Sequence, residues 1–110
     1  MQTLKKDKDF EKVARKGRPF FVSELGFKIL ENSFEVNRYG IVVSTKLDKR
    51  AVVRNKLHRR VKNIIKKEEQ NIKQGFDLIF LFRESSKYLK YSEVEEKVIF
   101  LFKKAQIFKK

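Results

Sequence analysis

The sequence predicts an α+β fold, a two-layer αβββαβα sandwich in which helices pack on a central, mostly antiparallel four-stranded sheet. Two observations carry the prediction. Apolar residues recur at alternating or continuous spacing in some stretches and at three- and four-residue spacing in others. Those stretches run in the order helix, three strands, helix, strand, helix, which suits one sheet with helices laid on it. Length supplies a third: 110 residues support one domain, expected over residues 1–110, and 41% hydrophobic residues with 11 Phe are enough for a core.

The first helix is expected over residues 9–17, with Asp7 or Asp9 as N-cap, Gly17 as the left-handed stop, and Phe10, Val13 and Ala14 on its apolar side. Pro19 then opens extended structure. Phe20-Phe21-Val22 is a short strand, and residues 25–30 form a second in which Leu25, Phe27 and Ile29 alternate. Glu31-Asn32-Ser33 is a turn. Residues 39–44 (Tyr-Gly-Ile-Val-Val-Ser) are nearly continuous in apolar and branched residues, as in a strand buried on both faces.

From Ala51 to about Lys73 the period becomes helical, with Val53, Leu57, Val61, Ile64 and Ile65 on one face and Gly75 as the stop. Phe76 to Phe82 is a strand. Ser92-Glu93-Val94-Glu95 has the S-x-x-E spacing of a capping box, and Val94, Val98, Leu101, Phe102 and Ala105 make the buried stripe of the last helix. The strand–helix–strand portion is long enough to cross over between parallel strands.

Charge narrows the function. Lys+Arg number 28 against Asp+Glu 14, a net +14. Such a balance points to a polyanionic partner, nucleic acid before an anionic membrane surface. No apolar run reaches the roughly 18 residues of a membrane span, and residues 1–10 lack a signal peptide's apolar centre. A cytoplasmic protein is therefore expected. Without cysteine there is no disulfide, thiolate zinc site or cysteine nucleophile. One His, no P-loop, no H-E-x-x-H and no EF-hand spacing argue against an independent enzyme, so no catalytic residue and no protein metal site are expected. Glu68-Glu69 and Glu95-Glu96 are helix neighbours that point in different directions.

The charge is concentrated. No acid occurs between Asp48 and Glu68, whereas Arg50, Arg54, Lys56, Arg59, Arg60, Lys62, Lys66 and Lys67 all fall there. At about 100° per residue, Asn55, His58, Arg59, Lys62 and Lys66 project opposite the apolar stripe, flanked by Lys56 and Arg54. A solvated face normally mixes signs, as Glu93, Glu95, Glu96 and Lys97 do. Arginine's planar fork suits phosphates and stacked bases. Asn55 can bond a base edge or ribose hydroxyl, or be an ordinary polar position near a helix start.

Residues 51–60 (Ala-Val-Val-Arg-Asn-Lys-Leu-His-Arg-Arg) closely resemble the signature of the protein subunit of bacterial ribonuclease P, whose helix carries an Arg-Asn-Arg core. Leu4-Lys5-Lys6 with Asp9-Phe10 and Gly17, and residues 39–46, resemble its N-terminal segment and central strand. The resemblance implies a fold like a ribosomal-protein domain with a left-handed crossover. It also implies a non-catalytic partner of a large RNA that removes the five-prime leader of precursor tRNA using Mg2+. Arg54, Asn55, Lys56, Arg59 and Lys62 would face the catalytic RNA, and Arg50 and Arg60 are expected among the RNA-binding residues. A cleft between the sheet and the first helix, with Phe10, Ser44 and Lys46, would hold the single-stranded leader. Neither a membrane nor a small-molecule substrate is implied.

Departures are visible. Lys56 replaces the second Arg of the core, keeping charge and losing the fork. His58 stands where a cation is usual. Ala14 and Lys28 occupy positions that usually carry aromatics, and the turn Leu47-Asp48-Lys49-Arg50 lacks the usual glycine. The alternative is a structural RNA-binding protein such as a ribosomal protein, which composition alone does not separate. A helix-turn-helix DNA-binding protein fits poorly with the strands around the basic helix.

Overall fold

The computed structural model describes residues 2–109. The chain runs β1 (Gln2–Thr3), α1 (Asp7–Lys16), β2 (Arg18–Val22), β3 (Leu25–Glu31), β4 (Arg38–Ile41), α2 (Ala51–Glu68), β5 (Phe76–Phe82) and α3 (Tyr91–Lys104), with 3₁₀ turns at Glu69–Asn71 and Glu84–Tyr88. The α+β class and the αβββαβα order are as the sequence predicts. β1 is added ahead of α1, so the sheet has five strands in the order β1-β4-β5-β3-β2. β3 pairs antiparallel with both β2 and β5, whereas β4 pairs parallel with β5 and β1 parallel with β4. β4 and β5 are thus parallel neighbours joined through α2, the crossover that the strand–helix–strand spacing anticipates.

Strand alternation divides the core. Leu25, Phe27 and Ile29 of β3, Tyr39 of β4, and Leu78 and Phe80 of β5 face α2 and α3 and form the main cluster. The stacked rings of Phe27 and Phe80, 5.6 Å apart, each meet Phe102 of α3 edge-on. Ile79 on the opposite face packs with Leu4, and with Val13 of α1. Sheet plus α2 and α3 make the two layers, and α1 lies across part of the outer face over β3 and β5.

Several boundaries differ from the sequence expectations, each for a tertiary reason. α1 starts at Asp7, with Lys6 in the N-cap position and no side-chain cap. Asp7 and Asp9 instead sit in the first turn, where a helix's positive end favours carboxylates. Gly17 is extended (φ −68°), not left-handed. A Cβ there would lie 2.5 Å from the Val13 carbonyl oxygen, so close approach explains the glycine. β4 ends at Ile41, and Val42 and Ser44 are exposed, because the chain leaves the sheet to reach α2.

α2 ends at Glu68, well short of Gly75. Ile72 is pulled into extended structure, fully buried, and bridges antiparallel to Phe108. The end of α2 is further held to β4, where the buried Tyr39 hydroxyl donates to Glu69 at 2.7 Å. At α3 the helix starts earlier than Ser92, so the capping carboxylate is Glu93, which accepts from the Lys90 amide at 2.9 Å. Glu95 is freed to pair with Lys67 of α2 at 2.6 Å.

Candidate nucleic-acid interface

α2 is positioned by its apolar stripe. Leu57, Val61, Ile64 and Ile65 are buried against the sheet and α3, with Val53 half-buried at the near end. Helical geometry therefore turns the remaining residues outward, and Asn55, Lys56, His58, Arg59, Lys62 and Lys66 are all exposed. None of these six side chains makes a hydrogen bond or ion pair among the described residues. Partial burial and the charge of Lys62 push His58 below the ordinary histidine range, as expected beside like charge.

The flanking arginines behave differently. Arg54 is half-buried and donates from Nη1 to the carbonyls of Asp48 and Lys49 at 2.9 and 2.8 Å. Arg60 donates to the Leu89 carbonyl at 2.8 Å. Arg50 is the N-cap residue, and its side chain embraces Asp48 at 3.1 and 3.0 Å while its amide bonds the same carboxylate at 2.8 Å. The strip predicted from sequence thus divides into freely displayed groups (Asn55, Lys56, Arg59, Lys62) and groups that also hold the helix in place (Arg50, Arg54, Arg60).

Asp48 organises the head of α2. Its side chain is only 7% exposed and also accepts from Lys87 at 3.3 Å. The hydrogen bonds of Arg50 hold its carboxyl well below the usual carboxylate range. The turn Leu47-Asp48-Lys49-Arg50 is therefore closed by an Asp–Arg–Lys cluster. Sequence alone offered no signal for Lys87, because the partner is 39 residues away.

The second expected region lies along the outer face of the sheet. Phe10 of α1 sits over Gly40 of β4, where a Cβ would come within 2.5 Å of its ring. Ser44 and Lys46 are exposed on the stretch between β4 and α2. The three residues are strung along one path from α1 to the head of α2 and do not meet in a single pocket. Beside α1 the face stays open, and Phe21 (46% exposed) and Val42 (43%) stand on it. Strand alternation marks Phe21, since Phe20 is packed into the core. Lys28 and Ala14, the two departures from the family's aromatics, touch: the ammonium donates to the Ala14 carbonyl at 2.7 Å, a cation on a helix C-terminal oxygen.

Among the described residues, no three His, Cys, Asp or Glu side chains gather where they could hold a metal ion. No helix is long and apolar enough to cross a membrane.

These features define a small, strongly basic α+β protein whose crossover helix displays an acid-free cationic face. The sequence model of the ribonuclease P family matches residues 1–106. The ribonuclease P protein component of Clostridium botulinum (strain 657) is 36% identical over 106 residues, 96% of this chain and 95% of that protein. Among solved structures, the Staphylococcus aureus RNase P protein superposes with a TM-score of 0.90 at 26% identity, covering 99% of both chains. The Thermotoga maritima protein gives 0.85 at 27% identity, covering 94% of this chain and 97% of that one. The chain belongs to the ribonuclease P protein family. It is an RNA-binding component of a ribonucleoprotein endoribonuclease that acts in tRNA processing.

Proposed function

We propose that this chain serves a holoenzyme in which the RNA, not the protein, performs Mg2+-dependent hydrolysis of precursor tRNA in the cytoplasm. The displayed strip of α2, Asn55, Lys56, Arg59 and Lys62, faces the catalytic RNA, with Arg50, Arg54 and Arg60 at its margins. The outer sheet face beside α1, bounded by Phe10, Ser44 and Lys46, takes the single-stranded leader. Phe21 and Val42 add an apolar platform suited to bases of any sequence. In this proposal Mg2+ is held by RNA phosphates.

One observation carries the proposal. Six outward side chains on α2 include four cations and no acid, and none makes a hydrogen bond or ion pair among the described residues. Like charges held this close repel, which a bound polyanion relieves.

The test is reconstitution with a bacterial ribonuclease P RNA and a precursor tRNA at limiting Mg2+. Leader release should rise on adding the protein, and the gain should vanish when the leader is cut to a stub. Tight RNA binding with no stimulation would overturn the leader assignment and favour a purely structural RNA-binding role.

A further inference from the structure

The most exposed large apolar side chain among the described residues is Tyr88, 78% accessible, at the end of the 3₁₀ turn Glu84–Tyr88. It borders a concavity between that turn and the flank of α2, lined by Arg50, Val53, Lys56, Leu57, Arg60 and Lys87 as well. The lining has an apolar floor (Val53 and the buried Leu57), one aromatic wall, and four cations around the rim, of which Arg50 and Lys87 share the Asp48 carboxylate behind them while Lys56 and Arg60 pair with no acid among the described residues.

An aromatic ring left in water is ordinarily mobile, but the backbone that carries Tyr88 is clamped on both sides. Before it, Lys87 is tied by its ammonium to the Leu47 carbonyl at 3.2 Å and to Asp48 at 3.3 Å. After it, the Leu89 carbonyl is held by Arg60 at 2.8 Å, and the Leu89 amide bonds the Ser86 carbonyl at 3.1 Å. The Lys87 ammonium stands 5.4 Å from the centre of the Tyr88 ring, within cation–π range. A solvated ring on a fixed backbone, over an apolar floor and inside a cationic rim, is complementary to an unpaired nucleotide. The base has a face to stack and the phosphate has a charge to place.

We propose that this concavity seats one unpaired nucleotide of the RNA partner, its base stacked on Tyr88 above Val53 and Leu57, its phosphate between Arg50 and Lys56. Lys56 lies on both the rim and the displayed strip, so RNA on the strip continues into the seat without a gap. The inference rests on the strip being the RNA-facing surface, and it adds to that surface a contact that is not ionic.

That distinction sets the experiment. Affinity for a transcribed bacterial ribonuclease P RNA is measured against salt for the unaltered chain, Tyr88→Ala, Tyr88→Phe and Arg59→Ala. Loss of a stacked base is expected to weaken Tyr88→Ala about five- to tenfold, with the slope of log K against log salt unchanged. Tyr88→Phe should bind as the unaltered chain does, because stacking does not need the hydroxyl. Arg59→Ala should weaken binding and flatten the slope by about one phosphate's share. Tyr88→Ala binding normally while Arg59→Ala is weakened would overturn the seat and leave the strip standing. If neither is weakened, the strip itself is overturned. A Tyr88→Ala defect with a flattened slope would also overturn stacking, since the residue would then be acting through the cations. An unchanged unfolding midpoint for Tyr88→Ala is expected from its exposure and separates binding from folding.

Discussion

α2 and α3 lie side by side on the same face of the sheet and bury comparable stripes, yet their outer faces are unlike. Beyond Val94, Val98, Leu101 and Phe102, α3 carries Glu93, Glu95 and Glu96 together with Lys97, Lys103 and Lys104. Beyond Leu57, Val61, Ile64 and Ile65, the charged residues of α2 are all cations until Glu68. Keeping a helix in water needs only charge of mixed sign, as α3 shows. The uniform sign of α2 adds repulsion that the fold relieves only at the ends, through Asp48 on Arg50 and Glu95 on Lys67, and the excess left on the middle turns is what the proposed binding face rests on.

The comparison breaks if the inward faces also differ. Ile64→Ala in α2 and Phe102→Ala in α3, both fully buried, are expected to cost about 2–5 kcal/mol each, read by urea unfolding. A cost below about 1 kcal/mol on either side would mean that helix is not anchored as described. The outward faces should then separate sharply. Arg59→Glu with Lys62→Glu is expected to lower RNA affinity on the order of 100-fold, whereas Lys103→Glu with Lys104→Glu changes it about twofold or less. Equal losses would make net charge, not the α2 face, the determinant.

Asp48→Asn sharpens the same point through a sign. The change makes the protein more positive, so bulk attraction alone would tighten RNA binding. Loosening the cluster that holds Arg50, Lys87 and the Arg54-bearing end of α2 should instead weaken it about threefold, measured with the same RNA. Tighter binding would reduce Asp48 to a bystander.

The smallest effect concerns His58. Its folded value lies below the unfolded value of about 6.5, so the unfolded chain takes up the proton more readily. Its contribution to stability is complete above that pH and is lost as pH falls through the folded value. RNA phosphates favour the imidazolium, so affinity should rise by about threefold or less over the same fall. His58→Gln should flatten both profiles. Parallel profiles for the variant and the unaltered chain would place His58 outside the contact.

Much of this fold is legible in the sequence because burial writes itself as periodicity. Each stripe residue predicted for α3 is buried, as is each for α2 save the half-buried Val53. What was not legible depends on partners far along the chain. β1 holds only two residues and exists because β4 offers an edge. The capping carboxylate of α3 shifts from the expected S-x-x-E pattern to Glu93 because the helix starts at Tyr91, and Gly17 answers to a carbonyl and not to a left-handed turn. In the site, a row of cations in a sequence does not reveal that Arg54 and Arg60 are tied to backbone oxygens while Arg59 is not.

That last division has an evolutionary consequence. Asn55, His58, Arg59, Lys62 and Lys66 make no hydrogen bond or ion pair among the described residues, so single substitutions there should have little effect on folding. Arg54 and Arg60 answer to two constraints at once and should drift far more slowly. The helix is in effect a fixed mount for a face that folding leaves free to change.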